Sequence, residues 1–479
     1  MEIYERAQNP QDPFELRDLW LSRVEGELGG HARRPWLAER WRSTSVRRSV
    51  HTDEVLCSRA TVRFVKELFN WYFRDDLYGE LRCDDAIILS SGSVDEEAWG
   101  LPETLKECMR FALDRDLYGY SDSRGRIPTR EAIAAYENAR IDGATYDAGN
   151  VAMTMGGTFA VSSLADFILT GTQRAGAPAL CGIPNYPPLV ETIARRCEVQ
   201  LVPLTSRSGK TSLDRLIAAL TLDTPLVLLQ TVGNPTGAIV LESELERLVR
   251  AAAPSTMIVL DECHEWLGPF ERCSNVRAAP NVIRVSSLSK TWSAPGLKVG
   301  WLLADSSFIA EYYEYASTTF GGPPSFFSTL VEVLARMERW LITGVDTPGV
   351  AEASEFEPAY EVDLSGLQAA YESYRRERIA RDDGLTILRD AATTCLADAS
   401  ATVVRPRYSI NTAVRLSGWE DSYLAFRDLF RETAVSVFPG ILTFCFSGGI
   451  VRVTTARRWE VLSAAIERLR SQLAHPADR

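Results

Sequence analysis

Lys290 stands directly after Ser287-Leu288-Ser289, at the end of the apolar run 282–285 and ahead of Pro295-Gly296. A strand hands over to a loop there, so the amine can face a ligand. A lysine that is desolvated or placed beside another cation becomes a nucleophile that condenses with aldehydes, which suggests a Schiff base. Taken alone, Lys290 also fits a solvated surface lysine. Four other stretches have the residue types to accompany it. Gly156-Gly157-Thr158 follows one apolar run and opens a helical one. Its free backbone N–H groups suit a phosphate-sized anion, with a plain glycine turn as the other reading. Gly233-Asn234-Pro235-Thr236-Gly237 pins the backbone at Asn-Pro and leaves the Asn234 amide free to donate. Asp261 follows Val259-Leu260, and its burial is costly unless a cation pairs with it. Tyr186, in Ile183-Pro184-Asn185-Tyr186-Pro187, puts a ring at a strand end, as either a pocket wall or an ordinary loop aromatic.

The elements that must position these residues are legible from periodicity. Apolar strands are expected near 151–154, 177–183, 199–204, 226–232, 257–260 and 282–285, alternating with helical patterns such as 159–169. Such alternation reads as βαβ units in an α/β fold with a mainly parallel sheet, whose ligands bind at the carboxyl ends of the strands. Each of the stretches above falls at such an end.

In its motifs the chain resembles the class I/II aminotransferases, the pyridoxal-phosphate-dependent enzymes of fold type I. The resemblance covers roughly residues 90–473, with Asn234, Asp261, Lys290 and Arg452 in the family's order. It implies a large domain with a mainly parallel sheet flanked by helices and a small C-terminal α/β domain. It implies pyridoxal 5'-phosphate on Lys290, Asp261 paired with the pyridine nitrogen, and Tyr186 stacked on the ring. Asn234 would donate to the phenolic oxygen, and Gly156, Gly157, Thr158 and Ser287 would hold the phosphate. Arg452, in Gly449-Ile450-Val451-Arg452-Val453, would grip the substrate α-carboxylate; a surface strand arginine is its other reading. Gly92 would line the substrate site. Tyr120, in Tyr118-Gly119-Tyr120-Ser121, would reach the phosphate of a neighbouring subunit's cofactor, which implies a homodimer with shared active sites. Two positions depart from the family: His264 stands where a tyrosine is usual, and Lys298 where an arginine is usual. Histidine still donates but titrates near neutrality. Lysine gives the phosphate a point charge in place of a two-pronged grip.

The 479 residues exceed one ordinary core. The expected division is an N-terminal extension 1–85, a large domain 86–340, an acidic insertion 341–366 and a small domain 367–479. A net charge of −12 and a pI near 5.1 argue against a nucleic-acid or membrane-surface partner. No apolar run approaches a membrane span and the start lacks a signal pattern, so a cytoplasmic protein is expected. Nine cysteines show no Cys-x-x-Cys pair and are expected to be mostly small buried hydrophobes. His264-Glu265-Trp266-Leu267-Gly268 is not a zinc helix, and no metal is expected. The residues from about 308 to 337 read as helical, and 367–388 as one long helix.

The activity these features imply is that of an enzyme acting on an L-α-amino acid through a Schiff base and a quinonoid carbanion at Cα. Transamination comes first. Elimination, replacement or cyclisation is the alternative, as in the related aminocyclopropane-carboxylate synthases acting on S-adenosylmethionine, or oxidation or cyclisation of a basic amino acid. The acidic insertion is expected to recruit a cationic substrate. A non-catalytic ligand sensor on the same fold is the competing class; it leaves the intact Lys290, Asp261 and Arg452 unexplained.

Overall fold

The computed structural model describes residues 2–170, 177–265, 270–397 and 401–474; residues 266–269, which include the Trp266–Gly268 stretch weighed above, lie outside it. The elements that carry the argument are helix α1 (Arg59–Trp71), strand β1 (Val151–Thr154), α2 (Gly157–Thr170), β2 (Ala179–Ile183), β3 (Val199–Pro203) and β4 (Leu226–Gln230). They continue with β5 (Met257–Asp261), β6 (Val282–Ser287), α3 (Leu288–Thr291), β7 (Gly300–Leu303), α4 (Ser328–Thr343), α5 (Leu364–Leu396), β8 (Asn411–Leu416) and β9 (Gly449–Thr454). The six strands expected from apolar runs all form, within two residues of the expected ends. Most are rich in Val, Ile and Leu and all are largely buried, which is how strands inside a parallel sheet read.

The chain folds into two compact units: Met1–Gly92, Ile168–Val240 and Leu388–Arg479 form one, and Ser93–Phe167 with Leu241–Ile387 the other. In the first, β2 pairs in parallel with β3 (Cys181 opposite Leu201) and with β4 (Cys181 opposite Leu228). A separate antiparallel sheet of four strands contains β8, β9 and Phe438–Pro439, and sets Arg452 opposite both Ala413 and Phe438. The N-terminal extension is built into this unit. Trp20 packs on Phe64 of α1, and Glu25 accepts from Arg427 at 2.6 Å. Asp76 is held by Arg34 and Tyr423, at 2.5 and 2.7 Å.

In the second unit β5 and β6 are parallel, with Asp261 opposite Val285. β7 lies antiparallel between β6 and β1, so β1, β5 and β6 run the same way. Their carboxyl ends, at Thr154, Asp261 and Ser287, share one edge. The core of this unit is aromatic, built on Trp292, Trp301, Trp340, Tyr371 and Tyr374. The architecture is α/β with mainly parallel strands flanked by helices, as expected.

Three expectations are corrected. The single helical stretch near 308–337 is two helices, Ser306–Thr319 and α4, because Gly321 and Gly322 take φ of +70° and +118° ahead of Pro323-Pro324. The cysteines are not mostly buried: Cys181 and Cys273 are, Cys57 is exposed, and the other six are half-buried. Several of those six turn the sulfur inward, and burial pushes the Cys108 thiol up to about 12. The acidic insertion does not offer free carboxylates to a cation. Asp346 pairs with Arg375, Glu355 with Arg336 and Arg339, Glu357 with Arg126 and Glu361 with Arg115. Glu352 and Asp363 accept from the backbone N–H of Gly349 and Gly366. Four of its six acids fasten the segment to its own unit through arginines, the other two cap local backbone, and Phe356 enters the core. Among the described residues, no helix is long and apolar enough to cross a membrane.

Candidate active site

In the second unit, Lys290 lies in the single turn of α3, directly after β6, with Ser287 at the N-cap position. Around the shared strand edge, Ser287 Oγ donates to Cys263 Sγ at 3.4 Å, and Asp261 Oδ1 accepts from the Cys263 N–H at 3.2 Å. Gly157, the first residue of α2, fits beside this cluster only as glycine, since a Cβ would lie 2.9 Å from Cys263 Sγ. Gly156 takes φ +83°, and a Cβ there would touch the Lys298 backbone at 3.8 Å. The structure thus brings Gly156, Gly157, Ser287, Lys298, Asp261 and Lys290 around one edge. Thr158 is exposed on the first turn of α2, and Lys298 is exposed in the left-handed region. His264 is buried two residues beyond Cys263's neighbour Glu262.

Asp261 faces its side of the strand because Glu262 is fastened to the other. Glu262 is fully buried between Arg284, which donates at 2.9 and 2.7 Å, and Arg277 at 2.7 Å. Glu137 shares Arg284 at 2.7 Å. These guanidinium groups outweigh burial and hold the Glu262 carboxyl down to about 2. Tyr120 is fully exposed, at 108%.

In the first unit, Arg452 is 5% exposed. It donates to Asn234 Oδ1 at 2.9 Å and to the Ser90 carbonyl at 2.8 Å, and its guanidinium lies 4.1 Å over the ring of its cross-strand neighbour Phe438. No carboxylate among the described residues pairs with it, and Nε is buried without a partner. Burial therefore pulls the guanidinium down to about 10. Gly92 explains itself here, with φ +64° and a position where a Cβ would sit 2.6 Å from Arg452 Nη2. Tyr186, at the N-cap of Pro187–Ala194, has its ring edge-on to Phe69 at 5.8 Å. Asn185 fixes that turn by donating to the Gly182 carbonyl at 3.0 Å and accepting from the Tyr186 N–H.

Four contributing residues carry no sequence signal of their own. Ser90 and Phe438 hold Arg452, Tyr72 lies behind them, and Cys263 fills the space beside Gly157. Cys263, two residues after Asp261, and Ser90, two residues before Gly92, had neighbours to point to them.

The residues present fit pyridoxal phosphate: an anion cradle with a glycine where a side chain would clash, a lysine one turn past a strand, and a carboxylate at the adjacent strand end. They also fit an α-carboxylate, because a desolvated guanidinium without a counter-ion is the partner such a group requires. An α/β fold with this set of residues defines a pyridoxal-phosphate-dependent enzyme of the aminotransferase type. The family model for aminotransferase class I and II matches residues 84–468, and the chain belongs to that family. It is 26% identical to the probable N-succinyldiaminopimelate aminotransferase DapC of Mycobacterium tuberculosis, over 82% of this chain and 94% of the relative. It is 24% identical to aromatic-amino-acid aminotransferase 2 of Thermococcus litoralis, covering 81% and 92%. Among solved structures, the M. tuberculosis N-succinyldiaminopimelate aminotransferase superposes with a TM-score of 0.65 at 22% identity, over 81% of this chain and 93% of that one.

Proposed function

We propose that this protein is an aminotransferase acting on an L-α-amino acid, with pyridoxal phosphate held on Lys290. When bound, that group supplies an electron sink for the charge left at the substrate Cα. The substrate amine would displace Lys290, and the freed Lys290 amine would be the group that takes the Cα proton and returns it. Asp261 would pair with a ring cation, Asn234 would donate to a phenolic oxygen, and Tyr186 would pack on the ring. Gly156, Gly157, Thr158, Ser287 and Lys298 would hold the phosphate, and Tyr120 would do so from a neighbouring subunit in a homodimer. Arg452 orients the substrate by its α-carboxylate, with Gly92 leaving room.

The observation that carries this reading is Arg452 itself, a buried guanidinium whose polar partners among the described residues are neutral. Leaving a cation desolvated costs several kcal/mol unless an anion joins it. His264 favours a second reading, in which a titratable donor in place of the usual tyrosine steers the reaction to elimination, replacement or cyclisation.

Absorbance of the purified protein, titrated with L-amino acids in the absence of a keto acid, tests both readings. A Schiff-base band that Lys290→Ala lacks supports the cofactor assignment, and no band after adding pyridoxal phosphate overturns it. Stable bleaching of the band by an amino acid supports transamination. A band that returns with release of ammonia or a leaving group supports the second reading.

A further inference from the structure

The family match begins at residue 84, so helix α1 and Tyr72 lie outside it. Yet they adjoin the residues that hold Arg452. Tyr72, the residue after α1, is fully buried. Its hydroxyl donates to the Val437 carbonyl at 3.0 Å and lies 3.0 Å from Ser436 Oγ. Ser436 Oγ is 2.8 Å from Ser90 Oγ, and the Ser90 carbonyl accepts from Arg452 Nη2 at 2.8 Å. A phenol has one proton, so with that proton on Val437 the remaining order is fixed: Ser90 donates to Ser436, and Ser436 to Tyr72. The Tyr72 ring also meets Phe438 edge-on at 5.5 Å, and Phe438 is the ring beneath the guanidinium. One helical turn earlier, Phe69 packs against both Tyr186 and Phe438, at 5.8 and 6.1 Å.

We infer that the N-terminal extension is part of the carboxylate-binding apparatus, and that Tyr72 is a positioning residue that sets Arg452 through the Ser436–Ser90 hydroxyl chain and the Phe438 ring. Arg452 has two hydrogen-bonded anchors, and one of them is the backbone of Ser90. A guanidinium that must meet a carboxylate with two parallel N–H groups tolerates little rotation. The buried chain that ends on Tyr72 supplies that rigidity. Removing the Tyr72 hydroxyl leaves the Ser436 proton without its buried acceptor, so the Ser436 and Ser90 hydroxyls must reorient beside Arg452.

The inference rests on the reading of Arg452 as the carboxylate partner, and its test separates the two. The probes are the L-amino acid that changes the wild-type spectrum most and the amine obtained by removing its α-carboxylate. Tyr72→Phe, and Ser436→Ala as a second and smaller change, are expected to weaken the amino acid about tenfold, the worth of one buried hydrogen bond. Binding of the amine and the Schiff-base band are expected to stay as in the wild type. Equal weakening of amino acid and amine makes Tyr72 a packing residue and overturns the inference, as does no weakening of either. If no L-amino acid changes the wild-type spectrum, the functional reading fails. The positioning role is then judged by phenylglyoxal labelling of Arg452, mapped by mass spectrometry. Faster labelling in both variants than in the wild type supports it, and an unchanged rate overturns it.

Discussion

Arg452 Nη1 donates to Asn234 Oδ1 at 2.9 Å, joining residues 218 positions apart in sequence. Arginine has no acceptor, so this contact decides which end of the Asn234 amide is oxygen. Nδ2 is then left as a donor with no acceptor among the described residues. One hydrogen bond orients both the arginine and the asparagine.

Asn234→Asp is therefore expected to be worse for substrate binding than Asn234→Ala. The new carboxylate occupies Arg452 with an ion pair that competes directly with the substrate. KM is expected to rise on the order of a hundredfold for the aspartate variant and about tenfold for alanine. Steady-state kinetics over a range of amino acid concentrations checks the order of the two.

Gly92→Ala acts on the same arginine from the opposite side. Its Cβ would fall 2.6 Å from Nη2, and φ +64° disfavours any side chain. Backbone strain of about 1–2 kcal/mol is expected in thermal unfolding, together with a raised KM. A KM unchanged from the wild type would show that Arg452 has room to move away.

In the proposed site Lys298 takes the place of the family's usual arginine, and it is exposed and in the left-handed conformation. Replacing it by arginine restores a planar two-pronged donor without altering charge. The affinity of the apoprotein for pyridoxal phosphate, measured by fluorescence titration, is expected to tighten several-fold. Lys298→Met is expected to weaken it, since the proposed phosphate contact loses its charge.

How much of this was legible depends on whether the information is local. The strands were, because buried parallel strands are short apolar runs, and so were the residues at their carboxyl ends. Gly157 was legible from its glycine turn, whereas Ser287 and Lys298 were named only through the resemblance to the family. Phe438 and Ser90 were not, since the first matters by being opposite Arg452 across two strands and the second through its carbonyl alone. Tyr72 was hidden in a segment whose role was unreadable from composition. The acidic insertion misled because six carboxylates look like an electrostatic patch until four of them pair with arginines, two of those more than 200 residues away, and the other two accept from backbone N–H groups.

Glu262 gives the pH dependence. Its carboxyl lies near 4.5 when unfolded and is held down to about 2 in the fold by Arg284 and Arg277. A depressed carboxylate stabilises the fold fully above about 4.5, and that stabilisation is lost as the pH falls towards 2. The shift corresponds to an effect on the order of 3 kcal/mol. Glu262→Gln removes the charge but not the bulk, leaving Arg284 with Glu137 alone and Arg277 with Glu242 and Glu265. The variant is expected to be less stable at neutral pH by about 3–5 kcal/mol, as when one partner of a buried pair is removed. Its stability is also expected to fall less steeply than the wild type's between pH 4.5 and 2. Urea unfolding at a series of pH values measures both. Because Glu262 anchors the end of β5 that carries Asp261, the Schiff-base band of the folded variant is expected to shift as well. A stable variant with an unaltered acid slope would mean that the arginines find other partners.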